Sequence, residues 1–350
     1  MKSTAESWNR LSDDSRHVTL VLFELTPLGE AGTNMQQHQI WLDPYMEELA
    51  GIFTALEKAI AEFPSPLNEI GWQYAKQFHP LVPNSKKNYI CYLLPFWLQS
   101  WSGISTSECR RLALADVWVM LHFFLLDDNM DENPADKKAR LALANLFALA
   151  YMQEYRQLFH SESTFWSKME EYVANWAEAV AQEDDADFFV SAPLKTAWKA
   201  APVKLAAAGA FLLGQREEQL ACAEQAIDLV LVTLQMSDDW LDWQEDLATG
   251  SYNGLLSLVR HRLGWPPEEV LSESTCRAAL YDLKLYEEFA DKTNEQEKQL
   301  QMLQPESPEL IAFHQYLLEG FSSSSSTISE EVRLLSLGGF YHWLSNYRNY

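Results

Sequence analysis

Two apolar stretches that end in carboxylates decide the fold: VWVMLHFFLLDDNMDE at residues 117–132 and AIDLVLVTLQMSDDWLDWQED at residues 226–246. In both stretches apolar residues recur at intervals of three and four, which is the period of an α-helix with a buried face. Unpaired charge is costly to bury, so a carboxylate group at the end of such a helix is expected near the mouth of a cavity. The sequence therefore predicts two core helices, each of which presents acidic side chains to a cavity.

The helical period also dominates the rest of the chain, in residues 41–63, 137–159, 165–182 and 277–303, with proline or glycine between the segments. Only HVTLVLFEL, residues 17–25, alternates as a strand does. A run of serines at 322–326 is expected to be a loop before a final helix that ends at Tyr350. We expect an N-terminal arm over residues 1–40 and one all-α domain over residues 41–350, a helical bundle around a central active-site cavity.

Composition limits the classes of function. The chain has 350 residues, of which 47% are hydrophobic, and a formal net charge of −24. This charge repels nucleic acid, and no apolar run reaches the length of a membrane span. The N-terminus lacks the pattern of a signal peptide, and the four cysteines are scattered as reduced thiols would be. These features predict a cytoplasmic protein that neither spans a membrane nor binds nucleic acid.

The first acidic cluster occupies one helical face, because Asp127 and Asp131 are four positions apart, as are Asp128 and Glu132. Asn133 and the proline after it end the helix, so the carboxylates lie at its C-terminal end. Acidic groups at that end oppose the helix dipole. This unfavourable placement indicates a functional role.

The second acidic cluster forms a single stripe, with Asp238, Asp242 and Asp246 at successive intervals of four, and Asp239 lies three positions before Asp242. Carboxylates this close repel one another by roughly a few kcal/mol at an effective dielectric constant near 20. The oxygen-binding cation Mg²⁺ relieves such repulsion, and it uses one or two carboxylates per ion together with water and substrate phosphate. The two clusters are therefore predicted to bind magnesium.

Other interpretations of the carboxylates fit the sequence less well. Each cluster alone could be a solvated acidic helix end. A calcium loop would need a twelve-residue pattern centred on glycine, and a di-iron bundle would need Glu-x-x-His pairs; neither pattern is present.

The motifs resemble those of the class I isoprenoid synthase superfamily, which includes trans-prenyl diphosphate synthases and class I terpene cyclases. LLDDNMDE, residues 125–132, is similar to the first aspartate-rich motif of that family, and QMSDDWLDWQED, residues 235–246, is similar to the second. Between them, Lys195-Thr196 and Pro202 resemble the broken helix on which prenyl synthases place a diphosphate-binding lysine. The resemblance implies the helical domain of class I terpenoid synthases and three Mg²⁺ ions. The residues that it assigns to metal are Asp127, Asp128, Asp131, Asp238, Asp239, Asp242 and Asp246.

Two departures from the family pattern favour cyclisation over chain elongation. NSKKNY, residues 84–89, stands where prenyl synthases carry Gly-Gly-Lys-Arg, and no Arg-Arg-Gly follows the first motif. Both signatures serve a second diphosphate, so the chain is expected to bind one allylic prenyl diphosphate of fifteen or twenty carbons, with geranylgeranyl diphosphate favoured. A prenyl diphosphate synthase, a head-to-head prenyltransferase and a non-catalytic subunit of a prenyl synthase remain as alternatives. Assembly of two copies of the chain into a homodimer is also left as an open alternative.

The resemblance also suggests contacts for the substrate. Lys195 and the C-terminal pair Tyr347 and Arg348, in SNYRNY, are the candidates for the diphosphate. Aromatic faces stabilise carbocations by cation–π contact, worth about 0.5–2 kcal/mol each. The rings expected to line the cavity are Trp118, Phe123, Phe124, Trp198 and Trp240.

Overall fold

Both apolar stretches fold into long helices, as their period predicts. The computed structural model describes residues 40–131, 134–183, 187–266 and 269–321, in which the regular structure is helical and no strand occurs. The prediction of one all-α domain is confirmed for this part of the chain. The strand-like HVTLVLFEL, most of the N-terminal arm and the predicted C-terminal helix lie outside the described residues.

The described helices follow one another with short connections. In chain order they are α1 (Met46–Ala61), α2 (Leu67–Lys76), α3 (Tyr89–Trp97), α4 (Gln99–Ser102), α5 (Thr106–Asp131), α6 (Lys137–Leu158), α7 (Phe165–Ala181), α8 (Phe188–Ser191), α9 (Leu205–Leu213), α10 (Leu220–Thr249), α11 (Gly254–Leu263), α12 (Glu273–Asp282) and α13 (Leu285–Leu303). A 3-10 helix, Pro193–Lys204, leads directly into α9. A last helical segment covers 308–321.

Helices α5 and α10 are the central elements of the bundle. Helix α5 packs against α3, α6 and α9, whereas α10 packs against α13, α9 and the 3-10 helix. Their apolar positions are buried on several sides, including Leu121 and Leu125 of α5 and Val230 of α10, which are 0% exposed. The absence of a solvated face over much of their length explains why hydrophobic residues there are nearly continuous.

The 3-10 helix brings main chain close to the two central helices. Pro193 starts it and Pro202 lies within it, where the missing N–H disfavours a regular α-helical ladder. Its small side chains Ala197 and Ala201 are almost fully buried against neighbouring helices. Small residues permit this close packing, so the segment becomes a wall between α7 and α10.

One helical stretch, Glu217–Thr249, has the length and apolar composition of a membrane-crossing helix, and 67% of its most apolar window is buried inside the fold. Core helices of soluble proteins have the same two properties. The stretch is the body of α10, which explains its burial.

Two glycines give opposite predictions for stability. A Cβ on Gly214 would lie 1.8 Å from the backbone oxygen of Ser102, whereas a Cβ on Gly51, in α1, would meet nothing within 4 Å. We expect Gly214→Ala to lower the free energy of unfolding by about 1–3 kcal/mol or more, because the backbone must move. Gly51→Ala should raise it by about 0.5–1 kcal/mol, because alanine loses less entropy in a helix. Urea unfolding measures both, and equal effects would contradict the close approach at Gly214.

Candidate active site

A cavity of about 680 Å³, including its open mouth, lies between α3, α5, the 3-10 helix and α10. Asp127 of α5 and Asp238 of α10 both line it. The apolar part of its wall consists of Cys91, Val119, Met120, Phe123, Phe124, Ala200, Pro202 and Val203. The remaining polar lining consists of Asp116, Lys199 and Gln235. Carboxylates from both predicted acidic clusters therefore border a single cavity.

The first cluster divides between two environments. Asp127 is half-buried and lines the cavity. Asp128 is buried and accepts a 2.9 Å hydrogen bond from the Tyr74 hydroxyl of α2. Burial and the charge of Asp128 hold the pKa of Tyr74 well above its usual value, so the hydroxyl keeps the proton that it donates. Asp131 is the last residue of α5, and its side chain lies outside the described part.

The second cluster is a row of carboxylates on α10 that becomes less buried toward the end of the helix. Asp238 and Asp239 are buried, whereas Asp242 and Asp246 are half-buried. Burial raises the pKa of all four, to about 7 for Asp239 and about 6 for Asp242. Neighbouring carboxylates raise it further at Asp238, Asp242 and Asp246. Negative charge is therefore disfavoured in this row.

Asn253, which the motif comparison did not single out, organises the second cluster. Its side-chain oxygen accepts hydrogen bonds from the backbone of Leu255 and Leu256 and caps α11. Its amide nitrogen donates to the backbone oxygen of Asp239 and to Oδ2 of Asp246, each at 2.8 Å. The start of α11 is thereby joined to the acidic face of α10. An Asn before a Gly at a helix start was the available sequence signal.

Two carboxylates of the row differ in their hydrogen bonding. Asp239 accepts from Gln235 Nε2 and from the backbone nitrogen of Gly254, each at 3.0 Å. Oδ1 of Asp238 is buried and has no hydrogen-bond partner among the residues that the structure describes. Hydrogen bonds within the fold therefore fix the side chain of Asp239, whereas Asp238 has an oxygen available to a ligand in the cavity.

Lys199 is the lysine that lines the large cavity, and it was not predicted. It pairs with Glu183, and its charge lowers the pKa of Asp238, Asp239 and Asp246. It also borders a smaller cavity of about 370 Å³ beside Asp239. The i, i+4 spacing from Lys195 was the signal that could have identified it.

The predicted diphosphate contact Lys195 lies in the smaller cavity and is not part of the lining of the large one. Its Nζ pairs with Glu178 at 3.1 Å and lies 4.4 Å from the ring centroid of Trp198. The other two predicted contacts, Tyr347 and Arg348, lie outside the described residues.

Three of the five predicted aromatic residues do not line the large cavity, which corrects the sequence prediction. Phe123 and Phe124 line it, but Trp118 packs beside Phe63 and Phe147. Five residues along a helix correspond to about 140° of rotation, so Trp118 and Phe123 face different sides of α5.

The other two predicted tryptophans, Trp198 and Trp240, also lie away from the lining of the large cavity. Trp240 packs against Phe289 and Phe321, because residues two apart on a helix point in nearly opposite directions and Asp238 faces the cavity. Trp198 lies against Lys195 instead.

The donor chemistry of the site fits Mg²⁺. Within the described ranges, no three His, Cys, Asp or Glu side chains are grouped closely enough to hold a metal by themselves. Magnesium needs only one or two carboxylates when phosphate and water complete its shell. Asp127, Asp238, Asp242 and Asp246 would supply those oxygens, and the buried Oδ1 of Asp238 has no other described partner.

The raised pKa of Asp239 predicts the sign of a pH dependence. Its folded value of about 7 exceeds the ordinary value, so the folded protein holds more protons than the unfolded chain between about pH 4 and pH 7. The free energy of unfolding should therefore fall as pH rises through this window. In Asp239→Asn the fall between pH 5 and pH 8, measured by urea unfolding, should be smaller by on the order of 2 kcal/mol.

The control for this prediction is Asp282→Asn, which changes an exposed carboxylate on α12 and should keep the wild-type slope. Mg²⁺ should stabilise the wild-type protein more at pH 8 than at pH 5, because it binds the ionised carboxylates. An equal pH dependence in wild type and Asp239→Asn would contradict the assignment.

Compared with known proteins, the chain matches no protein-family model and has no significant match among curated proteins or solved structures. The resemblance of the two acidic stretches to known motifs therefore rests on their residues and spacing.

Proposed function

We propose that the chain is a class I terpene cyclase, which ionises an allylic prenyl diphosphate with Mg²⁺, cyclises the carbocation and releases pyrophosphate. The observation that carries this proposal is that Asp127 and Asp238, from separate motifs and separate helices, border one cavity. Most of the other lining residues are apolar, as a hydrocarbon chain requires.

Polar residues in and beyond the cavity lining are suited to hold a diphosphate and its metal ions: Asp127 and Asp238 line the cavity, and Asp242 and Asp246 follow farther along α10. Asp127, Asp238, Asp242 and Asp246 would bind Mg²⁺, which when bound neutralises the pyrophosphate as it leaves. Lys199, already placed among these carboxylates, would donate a charge-assisted hydrogen bond to a diphosphate oxygen. Binding of this kind satisfies the unpartnered oxygen of Asp238 and reduces the repulsion along α10.

The apolar wall is suited to the hydrocarbon part of the substrate. Phe123 and Phe124 place aromatic rings three or four residues before Asp127, next to the acidic end of the cavity. Their faces would stabilise positive charge by cation–π contact, and the surrounding side chains would exclude water that otherwise captures the cation.

Prenyl transfer is the second candidate function, and one observation favours it. The charge of Lys86, in the NSKKNY segment, lowers the pKa of Asp242. Positive charge this close to the second cluster is what a prenyl diphosphate synthase or a head-to-head prenyltransferase would need beside a second diphosphate. A non-catalytic prenyl synthase subunit would bind Mg²⁺ and diphosphate without turnover.

The substrate test uses purified protein, Mg²⁺ and geranyl, farnesyl or geranylgeranyl diphosphate, each alone. We expect pyrophosphate and a cyclic hydrocarbon or alcohol, detected by mass spectrometry. Asp127→Asn and Asp238→Asn should each reduce pyrophosphate release by about 100-fold or more, because charge stabilisation of the leaving group is lost. Asp282→Asn, on the exposed face of α12, should retain the wild-type rate.

Products that form only after isopentenyl diphosphate is added would replace cyclisation with prenyl transfer. Absence of turnover with every allylic substrate, with or without isopentenyl diphosphate, would reject both enzymatic proposals.

The two lysines give a further prediction, because Lys199 lines the large cavity and Lys195 does not. Lys199→Gln should reduce kcat/KM for the allylic diphosphate by about tenfold or more, the effect of losing one hydrogen bond to a charged group. Lys195→Gln should reduce it by less than about threefold, since that lysine already binds Glu178. A larger loss in Lys195→Gln would restore the assignment made from the sequence motif.

A further inference from the structure

Asp116 is a buried carboxyl group of the large cavity that the proposed metal and diphosphate chemistry does not use. It lies on α5, is 6% exposed and lines the cavity together with Met120 and Phe123. Asp127 follows eleven residues later on the same helix, which corresponds to roughly 16 Å along the axis. Asp116 is therefore separated from the acidic cluster by a largely apolar length of wall.

The two carboxyl oxygens of Asp116 differ in their hydrogen bonding. Oδ1 accepts a 2.6 Å hydrogen bond from the hydroxyl of Tyr155, a fully buried residue of α6. Oδ2 is buried and has no hydrogen-bond partner within the described ranges. A buried polar atom of this kind is costly in an apolar environment unless a ligand or a functional step uses it.

Among the residues that the structure describes, no cation contributes to the electrostatics of Asp116. Its known polar neighbours are Tyr155 and the thiol of Cys91, whose pKa is raised by burial and by the charge of Asp116. Both neighbours keep their protons and remain neutral. Positive charge that enters this part of the cavity would therefore find Asp116 as its nearest counter-charge among these groups.

We propose that Asp116 forms a subsite for positive charge on a bound hydrocarbon chain and accepts the proton whose loss ends the reaction. The role of Asp116 as proton acceptor rests on the proposed cyclase function, whereas its recognition of a positively charged chain does not require turnover. Tyr155 positions the carboxyl group through Oδ1, which leaves Oδ2 for the chain.

In the proton transfer, each bond that breaks is matched by a bond that forms within the cavity. A C–H bond next to the cationic carbon breaks, and its electron pair becomes the second bond of a new alkene. The proton forms an O–H bond with Oδ2, and the Asp116 carboxylate becomes a neutral acid. Burial raises the pKa of Asp116 well above its usual value and disfavours its carboxylate, whereas positive charge on the chain beside Oδ2 lowers the pKa again and favours the carboxylate that accepts the proton.

The first arm of the test measures binding without turnover. The probes are farnesyl thiolodiphosphate, which does not ionise readily, and its aza analogue with a protonated tertiary amine in place of a tertiary carbon of the distal isoprene unit. Wild-type protein with Mg²⁺ should bind the aza analogue about tenfold more tightly than the parent compound, and Asp116→Asn should lose this preference. Both probes carry the same thiolodiphosphate group. The ratio of their affinities therefore measures the effect of positive charge on the hydrocarbon part of the probe.

The second arm measures products per pyrophosphate released. In Asp116→Asn the wild-type alkene fraction should fall by about tenfold or more, and products captured by water should replace it. Tyr155→Phe, which keeps the carboxyl but removes its hydroxyl donor, should change the products in the same direction. Asp228→Asn, a half-buried carboxyl of α10 that pairs with Lys204 outside the cavity, should keep the wild-type products.

The outcomes separate the two proposals. Failure of wild-type protein to release pyrophosphate from geranyl, farnesyl and geranylgeranyl diphosphate alike would reject the proposed function. An unchanged affinity ratio and product spectrum in a folded Asp116→Asn, with folding confirmed by circular dichroism and thermal melting, would reject the role of Asp116.

Discussion

Repulsion among carboxylates that lie against an apolar cavity is the constraint on which the proposed site depends. Asp238 and Asp239 are buried on α10, and Asp242 and Asp246 continue the same row toward solvent. Burial and neighbouring negative charge raise the pKa of all four groups, so the arrangement opposes ionisation near neutral pH. An arrangement of this kind is stabilised when cations and a polar ligand bind to it.

The surrounding fold holds the carboxylates in place without neutralising them. Asn253 connects the start of α11 to Asp239 and Asp246, and Tyr74 holds Asp128 away from the cavity lining. Neutral hydrogen-bond donors orient carboxylates and leave the carboxylate oxygens able to bind a metal ion. Lys199 supplies the positive charge on the cavity wall, where it faces the row from the 3-10 helix.

The sequence predicted the helices well and individual side-chain directions less well. Periodicity identified α5 and α10, and the spacing of the acidic residues indicated which side chains share one face of each helix. Trp118 and Trp240 were assigned to the wrong face, because being on a cavity helix does not determine the direction of a ring. The placement of Lys195 at the smaller cavity and of Lys199 at the large one has a similar cause, since both are on one short segment whose 3-10 geometry the sequence pattern does not reveal.

The sequence by itself determined the all-α class, the two acidic helices and the net negative charge, because these depend on local period and composition. Only the tertiary structure brought α5 and α10 to one cavity and placed Asn253 against the second cluster. It also showed Asp116 to be buried in the cavity wall, although nothing in the surrounding sequence marks this residue. Such proximities depend on how distant helices pack, and no local pattern encodes that packing.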